Sequence, residues 1–449
     1  MSGSVAGLGE DFVDAWPRIV RALAAYTGSV DDAQEYAAEA VARAVARFAE
    51  PGDGRPLDSE AQAGDGGPPL GSLAAWCITV GKRAWLDDRR RAATEQRHAE
   101  RLAADSAMRS SDGDASAEAS RIDDLTAGGA LDDRLALLFV ACDPALTEQA
   151  RLVLALRLVC GLDVPRIAAH LGVQPSAAAA RLTRAKHALA EARGRFHVPE
   201  APERRVRLPV VLAAVAGMFT VAHRDVLDPQ TPFDDLGRQA LSIADALVAE
   251  YPDDAEVRGL RAVIRLGLAR RPGRLDAAGA AVPLDEVDRR SWDRRLIEAG
   301  LDDAAAAADR GDGRFVLEAA IAGLHSSAPS FAATDWDRVV GFYRALERVW
   351  GAPSVTVARL SAELHRALLA TPSGERSAAL RRVARELHAL AEGSAPYAAI
   401  DARLALADLD WRAGRRAEAA RQYGELAAVV PTEPVRRFCL ARAGHPVVE

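Results

Sequence analysis

The chain has 449 residues, too many for one hydrophobic core, so two or three domains are expected. It is 49% hydrophobic and 27% charged, a globular balance, and its alanine-rich composition with few β-branched runs predicts helix nearly everywhere. The net charge of −7 excludes a uniformly basic nucleic-acid-binding protein, so any DNA contact must come from local basic patches.

Cysteines and histidines show neither a metal-binding pattern nor a disulfide framework. Four cysteines lie far apart on apolar stretches, without a CxxC pair: Cys77, Cys142, Cys160 and Cys439. We therefore expect buried thiols in a reducing cytosol. No apolar run approaches ~20 residues and no secretion signal opens the chain, so a cytoplasmic protein without a membrane span is expected. Without a phosphate-binding glycine loop, GxSxG motif or carboxylate cluster, we expect neither catalysis nor a metal or other cofactor.

Two amphipathic helices are predicted at the start of the chain, over Glu10 to Ala25 and Asp31 to Phe48. The second reads DDAQEYAAEAVARAVARF, with Ser29 or Asp31 available as its cap. One face of it begins with acidic side chains, which are Asp31, Asp32, Glu35 and Glu39. Because the same face ends with arginines, a solvated helix whose charges suit its dipole is an alternative to a binding role.

A Gly-, Pro- and Asp-rich stretch from Glu50 to Ser72 predicts a mobile loop. After it, LAAWCITVGKRAWLDDRRR predicts a helix with Leu73, Trp76, Val80 and Ala84 on one stripe. Candidate DNA contacts on this helix are Trp76, Lys82, Arg83, Arg90 and Arg91. Tryptophan among arginines can stack on bases and bind phosphates. A solvated basic face over a tryptophan-filled core is the alternative.

The stretch from Thr147 to Leu189 predicts three short helices arranged as a helix-turn-helix. Ala168 allows the two helices to approach closely, and Gly172 suits a turn that requires positive φ. Candidate groove contacts after the turn are Gln174, Ser176, Arg181, Arg184 and Lys186. Polar and basic groups on the second helix suit a DNA groove. An ordinary helical hairpin is the alternative.

Beyond about Pro199 the chain becomes a succession of amphipathic helices separated by Pro, Gly and Asp breaks. Near the end, Gly414, Ala419, Tyr423 and Pro431 have the relative spacing of a tetratricopeptide unit. This pattern predicts stacked helical hairpins that form a solenoid. An irregular helical bundle is the alternative for the middle section.

Three segments, in order, resemble the extracytoplasmic-function type of sigma-70 family RNA polymerase sigma factor. DDAQEYAAEAVARAV resembles the acidic helix that docks on the polymerase clamp helices, and AAWCITVGKRAWLDDRRR the tryptophan-bearing helix that faces the −10 element. LTEQARLVLALRLVCGLDVPRIAAHLGVQPSAAAARLTRAKHAL resembles the domain that reads the −35 element. The resemblance implies core RNA polymerase, through its β′ clamp helices and β flap, and promoter DNA as partners.

Four further segments are similar to a subgroup with a C-terminal tetratricopeptide-like extension: LALLFVACDPAL, SWDRRLIEAG, GRFVLEAAIAGLH and TDWDRVVGFYRAL. In that subgroup the extension replaces a separate anti-sigma protein as the presumed regulator. The resemblance implies an all-α chain with a region 2-like domain over 8–101, a linker over 102–130, a region 4-like domain over 131–197 and the extension over 206–449. A ligand or protein bound by the extension is left open.

The chain departs from the family pattern at its predicted contact surfaces. In the clamp helix the usual Glu-Asp pair is Gln34-Glu35, and in the −10 helix the usual Asn is Arg83. The recognition helix carries alanines where Thr, Lys and Ser are common, and the acidic-glycine signature of the subgroup is only partly present near Asp276 to Leu284. These departures predict altered promoter choice. A DNA-binding regulator that acts without polymerase and a helical-repeat scaffold are the rival functions.

Overall fold

The structure is a computed structural model that describes residues 3–48, 73–103, 131–225 and 235–444. The described residues form helices and connecting turns, and their only β-type pairing is an isolated bridge between Leu275 and Ala281. The all-α prediction is therefore confirmed. The chain divides into an N-terminal unit, Met1–Val221 with Asp228–Gln239, and a C-terminal unit, Ala222–Leu227 with Ala240–Glu449.

Three mutually packed helices open the N-terminal unit: α1 (Gly3–Thr27), α2 (Val30–Phe48) and α3 (Leu73–Ala103). The expected apolar face of α1 is buried at Trp16 and Leu23, and that of α2 at Ala37 and Ala40. Ser29 caps α2 by accepting a hydrogen bond from the amide of Asp32 at 3.2 Å, which satisfies one of the free donors of the first turn.

The buried face of α3 differs from the predicted stripe. The four predicted positions are half-buried, and the fully buried ones are Ala74, Cys77, Ile78 and Gly81. A Cβ atom on Gly81 would lie 2.8 Å from Cδ1 of Leu23, so this glycine lets α3 approach α1 closely. Small residues, rather than the tryptophan and valine, therefore define the packed side of α3.

The rest of the N-terminal unit contains, among its described residues, five helices: α4 (Asp133–Ala141), α5 (Glu148–Leu158), α6 (Val164–Leu171), α7 (Pro175–Arg193) and α8 (Ala201–Asp225). Among the described helices, only α8 is long and apolar enough to cross a membrane, over Ala201–Ala222, although no such run was expected. Half of this stretch is buried, and Arg207 donates to the carbonyl oxygen of Phe139 on α4 at 2.9 Å. These contacts make α8 a core helix of this unit.

The C-terminal unit contains ten helices within its described part: α9 (Leu236–Glu250), α10 (Ala255–Ala269), α11 (Arg294–Ala308), α12 (Arg314–Ser327), α13 (Trp336–Val349), α14 (Pro353–Leu369), α15 (Gly374–Ala391), α16 (Pro396–Arg412), α17 (Arg416–Ala427) and α18 (Glu433–Arg442). From α10 onward each helix packs on its chain neighbour, and α10 also packs on α12 and α14 on α16. Ala419 and Tyr423, two positions of the tetratricopeptide spacing, are buried.

The contact between α10 and α12 depends on a glycine and a carboxylate. A Cβ atom on Gly259 would lie 2.7 Å from backbone atoms of Phe315 and Val316, so the two helices touch at this point. One turn earlier, Glu256 accepts hydrogen bonds from the amides of Phe315 (3.0 Å) and Val316 (3.2 Å). A carboxylate at a helix N-terminus is favoured by the helix dipole, so Glu256 orients α12 as well as capping it.

Burial of His325 on α12 predicts acid sensitivity of the C-terminal unit. Burial, and then Arg270, Arg289 and His365, lower the pKa of His325 to about 3. The unfolded chain takes up a proton at this histidine near pH 6.5, whereas the folded protein does so only near pH 3. The contribution of neutral His325 to the free energy of unfolding is therefore fully present above pH 6.5 and is lost as pH falls toward 3. We expect a loss of roughly 2 kcal/mol between pH 7.5 and pH 5 from this group.

Urea denaturation of the full-length protein at several pH values measures this loss. His325→Gln should flatten the pH dependence above pH 5, because the variant has no imidazole to protonate. The matched control is His388→Gln, since His388 is exposed on α15 of the same unit. An unchanged slope in His325→Gln would contradict the assignment.

Candidate nucleic-acid interface

The predicted helix-turn-helix is formed by α6 and α7, with α5 packed against α7. Asp163 caps α6 by accepting from the amide of Arg166 at 2.9 Å, and Gly172 ends it at φ 62°. After this left-handed residue, the amide of Val173 bonds back to the carbonyl of Ala168 at 3.0 Å. Pro175 then occupies the first turn of α7, where its missing amide proton costs nothing.

Small and apolar side chains form the inner side of this motif. Ile167 and Ala168 on α6 are each 1% exposed, and the buried positions on α7 are Ala178, Leu182, Ala185 and Leu189. With these residues facing inward, Gln174, Ser176 and Arg184 are exposed, whereas Arg181 and Lys186 are half-buried. The predicted −35 residues therefore share the α7 segment, but they differ in how far they reach solvent.

The exposed side of α7 carries few polar groups. Ala180 is exposed, and Ala177 and Ala179 are half-buried. Thr183 and His187 are exposed on the same side as Arg184. Thr183 is not among the predicted contacts, although it lies seven residues after Ser176 and therefore on the same face of the helix. The polar side chains that α7 exposes on this side are therefore Arg184, Thr183 and His187, together with those around the turn.

The acidic side chains of α2 differ in their exposure and in the groups with which they pair. Glu35 is exposed, and Glu39 pairs with Arg43 at 2.5 Å. Asp32 accepts a hydrogen bond from Nε1 of Trp85 on α3 at 3.0 Å, so it also connects two helices. Asp31 is exposed and forms an ion pair with Nζ of Lys186 at 2.5 Å. Of the four predicted polymerase contacts, Glu35 alone forms no ion pair or side-chain hydrogen bond within the described part of the chain.

The basic side of α3 presents Arg83, Arg90 and Arg91 to solvent. Arg90 lies 3.5 Å from Asp87 and Arg91 3.3 Å from Asp88, in exposed pairs of the kind that add little stability. The remaining two predicted residues, Lys82 and Trp76, are half-buried, and Nζ of Lys82 lies 5.3 Å from the ring centre of Tyr26. Three arginines therefore remain near water on this helix.

Trp85 is the aromatic residue that sequence reasoning did not select. Its ring meets Tyr26 edge to face at 5.3 Å, and the guanidinium of Arg89 lies 5.1 Å from its ring centre. Tyr36 donates to Asp88 at 2.9 Å, and burial together with this carboxylate raises the pKa of Tyr36 to about 12. An aromatic and acidic network therefore connects α1, α2 and α3 beneath the exposed arginines.

Within the N-terminal unit, α1–α3 contact the helix-turn-helix part directly. Nε1 of Trp16 donates to the carbonyl of Leu158 at 3.1 Å in a buried hydrogen bond, and Arg21 pairs with Asp133 at 2.8 Å. The amide of Phe196 bonds to the carbonyl of Gly28 at 2.9 Å. Together with the Asp31–Lys186 pair, these contacts join two parts that the sequence predicted as separate DNA-binding domains.

The four cysteine thiols are buried and unpaired, as the sequence predicts. Burial raises the pKa of Cys142 to about 12. The thiols are therefore unreactive apolar side chains. Throughout the described residues, no group of three His, Cys, Asp or Glu side chains is placed to hold a metal ion.

Comparison with known proteins covers both halves of the chain. Residues 139–189 match the family described as Sigma-70, region 4, which contains the helix-turn-helix, and residues 207–308 match a family of unknown function (DUF6596). The chain is 34% identical over 349 residues to "Uncharacterized protein R00370" of Rhizobium meliloti (strain 1021), covering 77% of each chain. No solved structure gives a significant match. The chain therefore belongs to the same family as the Rhizobium meliloti protein, and its residues 139–189 match sigma-70 region 4.

Proposed function

We propose that this protein is a sigma factor of the extracytoplasmic-function type, which binds core RNA polymerase and directs promoter recognition in the cytoplasm. The observation that carries this proposal is the helix-turn-helix of α6 and α7, which coincides with the match to sigma-70 region 4. Members of that family are transcription factors, so the chain contributes recognition and no chemistry of its own.

The −35 contact is assigned to α7. Arg184 is exposed and can donate two hydrogen bonds to O6 and N7 of a guanine in the major groove. Gln174 and Ser176, at the start of the helix, are placed for phosphate or base-edge contacts. Because the neighbouring alanines offer no hydrogen bonds, this helix positions the complex more than it specifies sequence.

The −10 contact and the polymerase contact are assigned to α3 and α2. Arg83, Arg90 and Arg91 are exposed and can follow phosphates of the opened strand. Trp76 is a candidate for stacking on an unpaired base, which offsets part of the cost of melting. On α2, Glu35 is exposed and Asp31 becomes available to the polymerase clamp when its pair with Lys186 opens.

Binding both promoter elements requires the two parts of the N-terminal unit to separate. The −10 and −35 elements lie roughly 25 base pairs apart, on the order of 80 Å at ~3.4 Å per base pair. In the structure Asp31 on α2 and Lys186 on α7 are 2.5 Å apart. We therefore infer that this arrangement is a closed form, and that polymerase and promoter bind the open one.

Run-off transcription with core RNA polymerase and a promoter library tests the function. We expect transcripts from a subset of promoters. Arg184→Ala should reduce the free energy of promoter binding by about 1–3 kcal/mol, lower the transcript level accordingly, and relax the preference at one base pair. The control is Arg348→Ala, which removes an exposed arginine from α13.

If the protein binds a palindromic duplex by itself and never yields a transcript, it is instead a regulator that acts without polymerase. If it neither binds DNA nor supports transcription, it is a helical-repeat scaffold.

The C-terminal helices are proposed to form a tetratricopeptide-like domain that regulates the factor or completes its promoter complex. A deletion that tests this role should end after Asp225, because α8 packs on α4 through Arg207 and belongs to the N-terminal unit. Ending the chain at Arg195 would remove α8 and damage the region 4 part itself. An unchanged transcript level from the chain ending at Asp225 would rule out a regulatory role.

A further inference from the structure

The C-terminal unit has an open cavity that none of the proposed promoter contacts uses. Its volume is about 480 Å³, within the ~300–1,000 Å³ range of pockets that hold small organic molecules. Helices α14 and α16 supply most of its helical wall, with further residues from α12, α13, α17 and α18. The connection between α10 and α11 closes it through residues 281–285.

This closing connection is attached to the end of the chain. Two hydrogen bonds hold it: the amide of Ala281 donates to the carbonyl of Pro434 at 2.9 Å, and Arg437 donates to the carbonyl of Ala278 at 2.5 Å. Two ion pairs add to them, between Arg412 and Asp285 at 2.9 Å and between Arg442 and Glu286. The attached segment includes Asp276 to Leu284, where the acidic-glycine signature of the sigma-factor subgroup was expected. In this chain, residues 281–284 of that segment line the cavity.

Four aromatic rings meet at one end of the cavity. Phe331 lies 4.9 Å from Trp336 and 5.0 Å from His365, measured between ring centres, and Trp336 lies 5.4 Å from His325. Phe331 and His365 are only half-buried although the cluster lies inside the unit, because they face the cavity. A ring-shaped apolar group would find stacking and edge contacts there.

One polar atom in the cavity wall lacks a partner. His325 is 9% exposed, and among the described residues no group forms a hydrogen bond with its Nδ1. Leaving such an atom unsatisfied in the interior costs stability, and native proteins rarely do so without a ligand or a water molecule in place. His325 lines the cavity, so a bound molecule can supply the missing hydrogen bond.

The wall has charges of both signs: carboxylates are in excess around Arg412, whereas Arg270 and Arg289 act on His325. Asp285 and Asp408 share one guanidinium, that of Arg412, at 2.9 and 2.6 Å. The three groups together have one negative charge in excess. Burial lowers the pKa of His365, so this imidazole does not compensate the excess at neutral pH. A cation is therefore the charged group that fits the part of the wall around Asp285 and Asp408.

We propose that this cavity binds a small organic amine, with its ring against Phe331 and Trp336 and its ammonium group toward Asp285 and Asp408. The proposal does not depend on the sigma-factor function, because it concerns only residues of the C-terminal unit. It goes beyond promoter recognition by assigning a ligand class to the helical extension.

Three probes of equal shape and different charge test the proposal on the full-length protein: phenylbutylamine, phenylbutanol and phenylbutyrate. Isothermal titration calorimetry should give a dissociation constant on the order of 0.1–1 mM for the amine, typical of such a small ligand. The carboxylate should bind at least about tenfold more weakly than the amine, and the alcohol in between. Equal or tighter binding of the carboxylate, or no saturable binding of any probe up to ~5 mM, would overturn the proposal.

Two pairs of variants locate the binding. Asp408→Asn should reduce the preference for the amine over the carboxylate to about threefold or less, because it removes one of the two carboxylates. Asp410→Asn is its control, since Asp410 is on the same helix and pairs with Arg415 and Gln422 outside the cavity. Ala405→Phe should fill the cavity and abolish binding of all three probes, whereas Ala378→Phe, at an exposed position of α15, should not. Binding that survives Ala405→Phe would place the probes elsewhere and refute the site.

Discussion

Replacing Asp303 by alanine should lower the free energy of opening of α10 and α11 by about 3 kcal/mol, the low end of the effect of breaking a buried ion pair. The Asp303 side chain is 5% exposed. It forms a two-point contact with Arg261 (2.8 and 2.6 Å) and a further bond to Arg265 (2.8 Å), and Arg258 lies at 3.8 Å. Without Asp303, Arg261 and Arg265 keep Asp245, which is 46% exposed, as their carboxylate partner, and Arg258 keeps the carbonyl of Pro252.

Hydrogen–deuterium exchange of the full-length protein measures this effect locally. Amides of α10 and α11 should exchange about a hundredfold faster in Asp303→Ala, as expected when the opening free energy falls by this amount. The neighbouring Asp302 is exposed, so Asp302→Ala changes exchange by less than about a factor of two, in line with ordinary surface substitutions. Equal exchange rates in the two variants would show that the arginines do not depend on Asp303.

Replacing Asp143 by alanine should destabilise the contact between α4 and α8 by roughly 2–3 kcal/mol. Asp143 and Arg207 are 2% and 4% exposed, and they lie 2.9 Å apart. Asp143 also bonds to Arg193 at 2.6 Å. In the variant, Arg207 keeps Glu203 and the carbonyl of Phe139, which limits the loss. Because α8 leads from region 4 toward the C-terminal half, transcription should fall together with stability.

The pH dependence of the Asp143 variants adds an independent test. Burial raises the pKa of Asp143, but the amide of Ala145 and the guanidinium groups of Arg193 and Arg207 outweigh burial and hold it below its usual value. Its stabilising effect is therefore present above pH ~3.9, the unfolded value, and is lost as pH falls further. By urea denaturation, the free energy of unfolding of Asp143→Asn should be lower than that of the wild type at pH 7 and nearly equal to it in strong acid. A constant difference at all pH values would contradict a charge-based role.

The sequence predicted those features that depend on neighbours in the chain. The cap at Ser29, the positive φ at Gly172 and the packed small residue Ala168 are local, and the structure confirms them. The packed side of α3 was predicted one position away, because periodicity gives weight to Trp76 and Val80. Close approach of α3 to α1 instead requires a small residue, which is Gly81.

Features that depend on distant pairs could not be read from the sequence. The hydrogen bond from Trp16 to Leu158 joins residues 142 positions apart, and Arg21 reaches Asp133 across 112 positions. Nothing in the local pattern of either segment indicates its partner, since an exposed acid such as Asp31 looks the same whether it faces polymerase or Lys186. The cavity of the C-terminal unit escaped detection for the same reason, because its wall is assembled from many helices.

The closing connection also determines when during synthesis the cavity can form. Arg437 bonds to Ala278, 159 positions earlier in the chain. At a translation rate of ~5–20 residues per second, the connection leaves the ribosome about 8–30 s before the helix that fastens it. The helix-turn-helix is complete well before that time, because it ends at Arg193. The cavity is therefore among the last features of a newly made molecule to appear, and premature termination within α18 removes it from a chain that still contains its DNA-directed half.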